Sequence, residues 1–228
     1  MKKDLLLLHG ALGSKHQFQN LKPLLTDDFI IHDFNFSGHG GSSDTHGFSI
    51  PGFTQQLIEY IQSNKLSDVY IFGYSMGGYV ALKASLQIPS YISKIATLGT
   101  KFDWSPESTA REIKMLNPDV METKVPQFAE KLRKEHTPQD WKSVVRATAD
   151  LMTKLSERDQ LEEADFKSIQ TVVTLGRGDQ DKMVSEEETN TVALWLPNAE
   201  IVALADVKHP IESISPDKIQ DFIKRTFA

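Results

Sequence analysis

The stretch that decides the fold is YIFGYSMGGYVALKA, residues 70–84. Its first half is an apolar run of strand length. Its second half spaces apolar residues as a helix does. Ser75 stands at the junction, flanked by Gly73 and Gly77. A turn this tight pushes its central residue toward a sparsely allowed backbone conformation. Glycine two positions to either side removes side chains that would crowd the turn. The hydroxyl is then lifted above the carboxyl end of the strand. The first N–H groups of the helix have no intrahelical partner and aim at the same space. A nucleophile and an anion-stabilising donor thus arrive together.

Outward from this turn, short apolar runs alternate with helical patterns. Strands are expected at 5–8, 29–35, 69–74, 92–99, 171–176 and 199–205. Most are apolar at nearly every position, as strands are when helices cover both sheet faces. Helices are expected at 16–25, 51–64, 76–87, 185–195 and 216–226, the last opened by Ser215-Pro216. The alternation predicts βαβ units and an α/β fold with a mostly parallel sheet. It breaks once. Between 102 and 169 no strand pattern appears, and three or four helices are expected. Thr137-Pro138 is read as the start of one of them, with Trp141, Val144, Val145, Thr148, Met152 and Leu155 on its apolar face. The expected organisation is a core domain of 1–101 and 170–228, with 102–169 inserted as a helical cap whose apolar face packs onto the core domain and in part roofs a pocket.

Composition narrows the function. The 228 residues carry a formal net charge of −6. Lys and Arg are not clustered as phosphate binding requires, so nucleic acid is not an expected partner. The chain has no cysteine, which removes disulfides and thiolate chemistry and fits a reducing, cytoplasmic setting. The opening MKKDLLLLHG superficially suggests a leader, but four apolar residues are too few for one. No apolar run approaches the ~20 residues of a membrane span, so no membrane partner is expected.

A serine hydroxyl needs a base, and the base needs a carboxylate to fix its tautomer. His209, in LADVKHPIES, follows the last expected strand and precedes the last helix. It falls on the sheet edge that carries Ser75. TLGRGDQDKMVS leaves the fifth strand on the same edge and offers Asp179 and Asp181. His9 ends the first strand and is expected to tie its own loop by hydrogen bonding. Gly38 and Gly40 are expected to form a turn, with His39 as a structural residue. His16, His32, His46 and His136 lack such context and are read as surface or packing residues.

Taken together, these segments resemble the alpha/beta-hydrolase superfamily, in particular its small serine esterases and lyases. LLLLHGALGS is similar to the family's HG oxyanion loop. DFNFSGHGGSS is similar to its D-x-x-G-x-G-x-S turn, with one residue added. GYSMGG is similar to the nucleophile elbow, GDQDKMV to the G-x-x-D-x-x-V segment, and HPIE to the histidine loop. Family members usually begin with two further strands. This chain starts at the HG strand, so the resemblance implies about six parallel strands. It also selects Asp181 over Asp179. The implied catalytic set is Ser75, His209 and Asp181 in the family's chain order. The implied oxyanion donors are the Met76 and Ala11 N–H groups, with Leu12 as a substitute for the latter.

The resemblance implies a serine hydrolase that acts on a small carboxylic ester or related acyl compound, with no metal or organic cofactor. Leu12, Phe36, Lys101 and Trp104 are expected at the substrate pocket. Tyr74 belongs either there or in the core. A lyase or carbon–carbon bond hydrolase could use the same triad as a base, as in relatives that eliminate pyruvate in menaquinone synthesis. Arg111, Arg133 and Arg146 would then supply cations. A small-molecule receptor could also retain the triad. Dehalogenase and epoxide hydrolase relatives carry aspartate where this chain has Ser75. Oligomeric state is not encoded in any of these motifs.

Overall fold

The computed structural model describes residues 2–228. Six parallel strands form one sheet: β1 (Lys3–Leu8), β2 (Phe29–Asp33), β3 (Val69–Tyr74), β4 (Ile92–Leu98), β5 (Val172–Gly178) and β6 (Ala199–Leu204). Their order is β2-β1-β3-β4-β5-β6. The chain therefore leaves β1 on one side for β2 and returns on the other side for β3. That reversal opens a crevice beyond the carboxyl ends of β1 and β3, where open α/β sheets place their ligands.

The run Leu5–Leu8 is fully buried because its residues alternate between two cores. Leu6 and Leu8 join a cluster with Phe53 and Leu57 of α2 (Ile50–Ser63) and Val80 of α3 (Met76–Gln87). Leu5 and Leu7 join the opposite cluster with Phe18, with Leu25 of α1 (Lys22–Leu25), and with Phe222 and Ile223 of α10 (Pro216–Phe227). The expected single helix at 16–25 is a 3-10 turn at Lys15–Phe18 followed by α1. Pro23 lies at the start of α1, where its missing N–H costs nothing.

Between β4 and β5 there are five α-helices, not three or four. They are α4 (Pro106–Met115), α5 (Pro118–Lys124), α6 (Pro126–His136), α7 (Trp141–Lys154) and α8 (Glu163–Ser168). A π-helical turn, Leu155–Asp159, continues α7. The two unexpected helices, α5 and α8, have 7 and 6 residues. That is too short to display an amphipathic period, and caps define them instead. The Asn117 side chain accepts from the Asp119 and Val120 N–H groups, and Glu162 with Asp165 forms a capping box. α7 does not begin at Thr137-Pro138. Its cap is Asp140, which accepts from Lys142 and Ser143 N–H. α9 (Glu186–Trp195) then precedes β6. Among the described residues no helix is long and apolar enough to cross a membrane.

The sheet and α3 meet at one unusually close approach. A β-carbon at Gly77 would lie 2.6 Å from the Leu8 carbonyl carbon and 2.8 Å from the His9 carbonyl oxygen. A β-carbon at Gly73 would lie 2.6 Å from the Gly77 carbonyl carbon. The two glycines thus clear backbone, not each other's side chains. Gly77→Ala is expected to destabilise the protein by more than about 1 kcal/mol, because the obstructing atoms belong to backbone that cannot rotate away. A lowered urea midpoint at unchanged slope would register this. An unchanged midpoint would contradict the close approach.

Candidate active site

β3 ends at Tyr74 and α3 begins at Met76, so Ser75 alone makes the turn. Its backbone has φ 50 and ψ −116, in the half of conformational space that non-glycine residues avoid. The Ser75 N–H donates to the Leu98 carbonyl at 2.9 Å. Its own carbonyl accepts from Thr100 Oγ1 at 2.9 Å. Both flanking peptides are therefore fixed by the end of β4. The side chain caps nothing in α3 and lines a cavity of about 180 Å³.

The same cavity wall holds His209. Its Nδ1 lies 2.8 Å from Asp181 Oδ2. The other carboxylate oxygen accepts from Met183 N–H at 2.8 Å and Val184 N–H at 3.0 Å. Burial pushes the Asp181 carboxyl up, but the His209 hydrogen bond and charge and the two backbone donors together hold it below the usual range. An ionised Asp181 accepts the Nδ1 proton and leaves Nε2 of a neutral ring free as a base. Asp179 acts elsewhere, with its Oδ1 accepting from Val207 N–H at 3.3 Å. Gly99, at the end of β4 with φ 63, faces the pair; a β-carbon there would lie 3.4 Å from both His209 Nδ1 and Asp181 Oδ2. Tyr74 both lines the cavity and ties the histidine loop, since its hydroxyl donates to the His209 carbonyl at 2.9 Å and accepts from Ile211 N–H at 3.3 Å. Ser75 Oγ and the imidazole share the cavity without a hydrogen bond between them. Such pairs commonly tighten only when a substrate is bound.

The loop after β1 lies against Ser75. A β-carbon at Gly10 would sit 3.3 Å from Ser75 Cβ. His9 is fully buried. Its Nε2 accepts from Phe36 N–H at 3.0 Å, so the proton is on Nδ1, which donates to the Gly10 carbonyl at 2.9 Å. Gly13 N–H donates to the same carbonyl at 3.2 Å. In a trans peptide the carbonyl and the following N–H point opposite ways. Holding the Gly10 carbonyl on one side therefore turns the Ala11 N–H to the other. Ala11 and Met76 both line the cavity, and neither N–H is spent on a hydrogen bond within the described residues.

Leu12, Lys101 and Trp104 also line the cavity. Phe36 does not. Its ring is fully buried against His9, Phe34 and Phe53, because the turn that carries it is drawn into the core by the His9 bond. Lys101 is buried, donates to the Met183 carbonyl at 3.2 Å and lies 3.9 Å from Glu188. The rest of the wall is mostly apolar and comes largely from α7, through Thr148, Leu151 and Met152, with Leu155 just beyond it. The helical period of α7 was visible in the sequence; which of its residues face the cavity was not. Arg111, Arg133 and Arg146 are outside the wall. Arg133 is paired with Glu122 and Glu130, and the other two are exposed. His136, read from sequence as a surface or packing residue, is buried and hydrogen-bonded to both neighbouring loops.

The chain belongs to the alpha/beta hydrolase fold family, whose model matches residues 4–138. Within that family it is similar to the pimeloyl-(acyl-carrier protein) methyl ester esterase of Vibrio cholerae, at 29% identity over 119 residues, 52% of this chain and 44% of that protein. It is 32% identical over 110 residues to the protein of the same name from Photobacterium profundum, covering 48% of this chain and 42% of the relative. The chain thus matches less than half the length of these two relatives. Among solved structures it is similar in fold to E-2-(acetamidomethylene)succinate hydrolase, with a TM-score of 0.80 at 16% identity, covering 100% of this chain and 92% of that one. A putative lipase from Acinetobacter baumannii gives 0.80 at 23% identity, with 99% and 84% covered.

Three buried histidines in mutual contact, His9, His39 and His136, share one electrostatic bias. Burial lowers His9 to about 4. Burial likewise lowers His39, helped by its histidine neighbours, and lowers His136. Each folded-state value lies below the unfolded one of about 6.5, so the unfolded chain binds protons more readily. The stability these groups confer is complete above about pH 6.5 and is lost progressively as pH falls below it, for His9 down to about 4. His9 alone accounts for about 3 kcal/mol across that window. Denaturation at stepped pH should show stability declining from 6.5 to 4, and a flat profile would contradict neutral burial of the cluster.

Proposed function

We propose that the protein is a serine hydrolase of small carboxylic esters, working through an acyl-enzyme. The observation that carries this reading is the 2.8 Å His209–Asp181 bond beside a strained Ser75, with two unspent N–H groups on the same wall. The relatives named as methyl ester esterases support an ester with a small alcohol.

In this mechanism His209 Nε2 takes the Ser75 proton as Oγ attacks the ester carbonyl. Asp181 keeps Nδ1 protonated and stabilises the imidazolium. The Ala11 and Met76 N–H groups receive the negative charge that develops on the carbonyl oxygen. A donor of this kind typically lowers the barrier by about 2.7–4 kcal/mol. His209 then protonates the departing alkoxide. Water, deprotonated by the same imidazole, releases the acid. The acyl chain lies along the apolar wall of α7 and Trp104. The helices between β4 and β5 act as a cap over it. The alcohol leaves toward the more polar groove beyond Leu12 and His209, where Gln17, Lys131 and Glu212 lie. The lyase alternative loses the cations invoked for it, since none of the three arginines lines the cavity.

A series of para-nitrophenyl esters of increasing acyl length tests this reading. Hydrolysis is expected to favour short and medium chains, and Ser75→Ala should lower kcat by about 10⁴-fold or more. Asp181→Asn should cost about 10⁴-fold, while Asp179→Asn should stay within tenfold of wild type. Near-normal turnover in Ser75→Ala would remove the nucleophile, and equal losses in the two aspartate variants would remove the assignment of Asp181.

A further inference from the structure

The end of α6 reaches out of the helical segment and grips the loops that build the site. His136 is fully buried. Its Nδ1 accepts the Gly40 N–H at 3.0 Å, and its Nε2 lies 3.1 Å from the Leu12 carbonyl. A backbone N–H can only donate and a carbonyl can only accept. The ring must therefore be neutral with its proton on Nε2. Its neighbours make parallel contacts: Glu135 with the Ser14 hydroxyl, and Gln139 with the Ser42 carbonyl. The fit is close, since a β-carbon at Gly41 would lie 2.7 Å from the Thr137 carbonyl oxygen.

Leu12 gives this grip its meaning. It has φ 59, a left-handed conformation that a leucine adopts only when its surroundings impose it. It directly follows Ala11, the residue assigned above as an oxyanion donor. The core holds the first part of this loop, through Gln17 on the Gly10 N–H and His9 on the Gly10 carbonyl. Beyond Ala11, His136 holds the Leu12 carbonyl, and Asn35 accepts from the Lys15 N–H where the loop ends. All ring nitrogens of His9 and His136 are committed to backbone, so neither ring has a lone pair left for a metal.

We propose that His136 is a positioning residue for the oxyanion hole: by anchoring the Leu12 carbonyl and its left-handed turn, it keeps the rest of the loop from pulling the Ala11 N–H, already oriented through the Gly10 carbonyl, off the cavity, making the helical segment part of the transition-state machinery. The inference rests on the serine-hydrolase reading and deepens it. A residue acting this way contributes mainly where charge appears on the carbonyl oxygen. Ground-state binding in the apolar cavity does not depend on it.

The test uses the full chain and compares wild type, H136L and H136Q. Leucine fills space without hydrogen bonds, whereas glutamine can donate and accept. H136L is expected to lower kcat by about tenfold or more with KM within about twofold. Affinity for an alkyl boronic acid, which forms a tetrahedral adduct with a nucleophilic serine, should fall by the same factor. H136Q should recover most of both losses. Folded H136L with wild-type kcat and boronate affinity overturns the inference, as does a change confined to KM. Nitrogen NMR of histidine-labelled wild type gives a measurement that needs no variant. The His136 ring should be the Nε2–H tautomer, and its signals should shift when the boronic acid binds. The other tautomer, or no shift on binding, overturns the inference. Failure of the boronic acid to inhibit wild type removes the serine-hydrolase reading, and this inference with it. Inhibition of wild type together with an unaffected H136L removes this inference alone.

Discussion

The structure depends on one close approach, the packing of the α3 backbone at Gly77 against the end of β1 at Leu8 and His9. Nothing larger than glycine fits there. The contact allows a single residue, Ser75, to join strand to helix at φ 50. A looser joint would let that residue relax into an ordinary conformation and swing its hydroxyl away from the cavity. Strain of this kind persists only where surrounding contacts over-determine it. Here the hydrogen bonds from Ser75 to Leu98 and from Thr100 to Ser75 do so.

The remaining parts of the site follow from sheet topology. The reversal of strand order between β1 and β3 puts the His9–Ala11 loop beside Ser75. β5 and β6 then deliver Asp181 and the His209 loop to the same rim. The polar groups are fixed by partners that leave one useful atom free. Asp181 gives one oxygen to backbone N–H groups and the other to His209. His9 holds the Gly10 carbonyl and so frees the Ala11 N–H. The helices between β4 and β5 also contribute, since α7 supplies much of the apolar wall and α6 reaches the Leu12 carbonyl.

Much of this was legible in the sequence for physical reasons. Strands buried on both faces are apolar at successive positions, as in β1 and β3; the edge strands β2 and β6 are largely half-buried or exposed and were visible as shorter apolar runs broken by His32, Asp33 and Glu200. Ser75, His209 and Asp181 could be grouped because each follows a strand and therefore reaches the same sheet edge. The α5 and α8 helices could not be seen, since elements of 7 and 6 residues display no period. Phe36 was expected in the pocket but is drawn inward by the bond between its N–H and His9. His136 carries no local signal at all. Its role comes from partners 96 and 124 residues away, Gly40 and Leu12. Contacts of that kind belong to the tertiary fold and leave no trace in local pattern.

The most direct measurement is covalent. Wild-type protein treated with a reactive alkyl phosphonate, digested and mapped by mass spectrometry, is expected to carry the phosphonyl group on Ser75. His209→Gln, folded but lacking the base, should be labelled far more slowly. Folded wild-type protein that stays unmodified, or that carries the label at another residue, would contradict a nucleophile held at the head of α3.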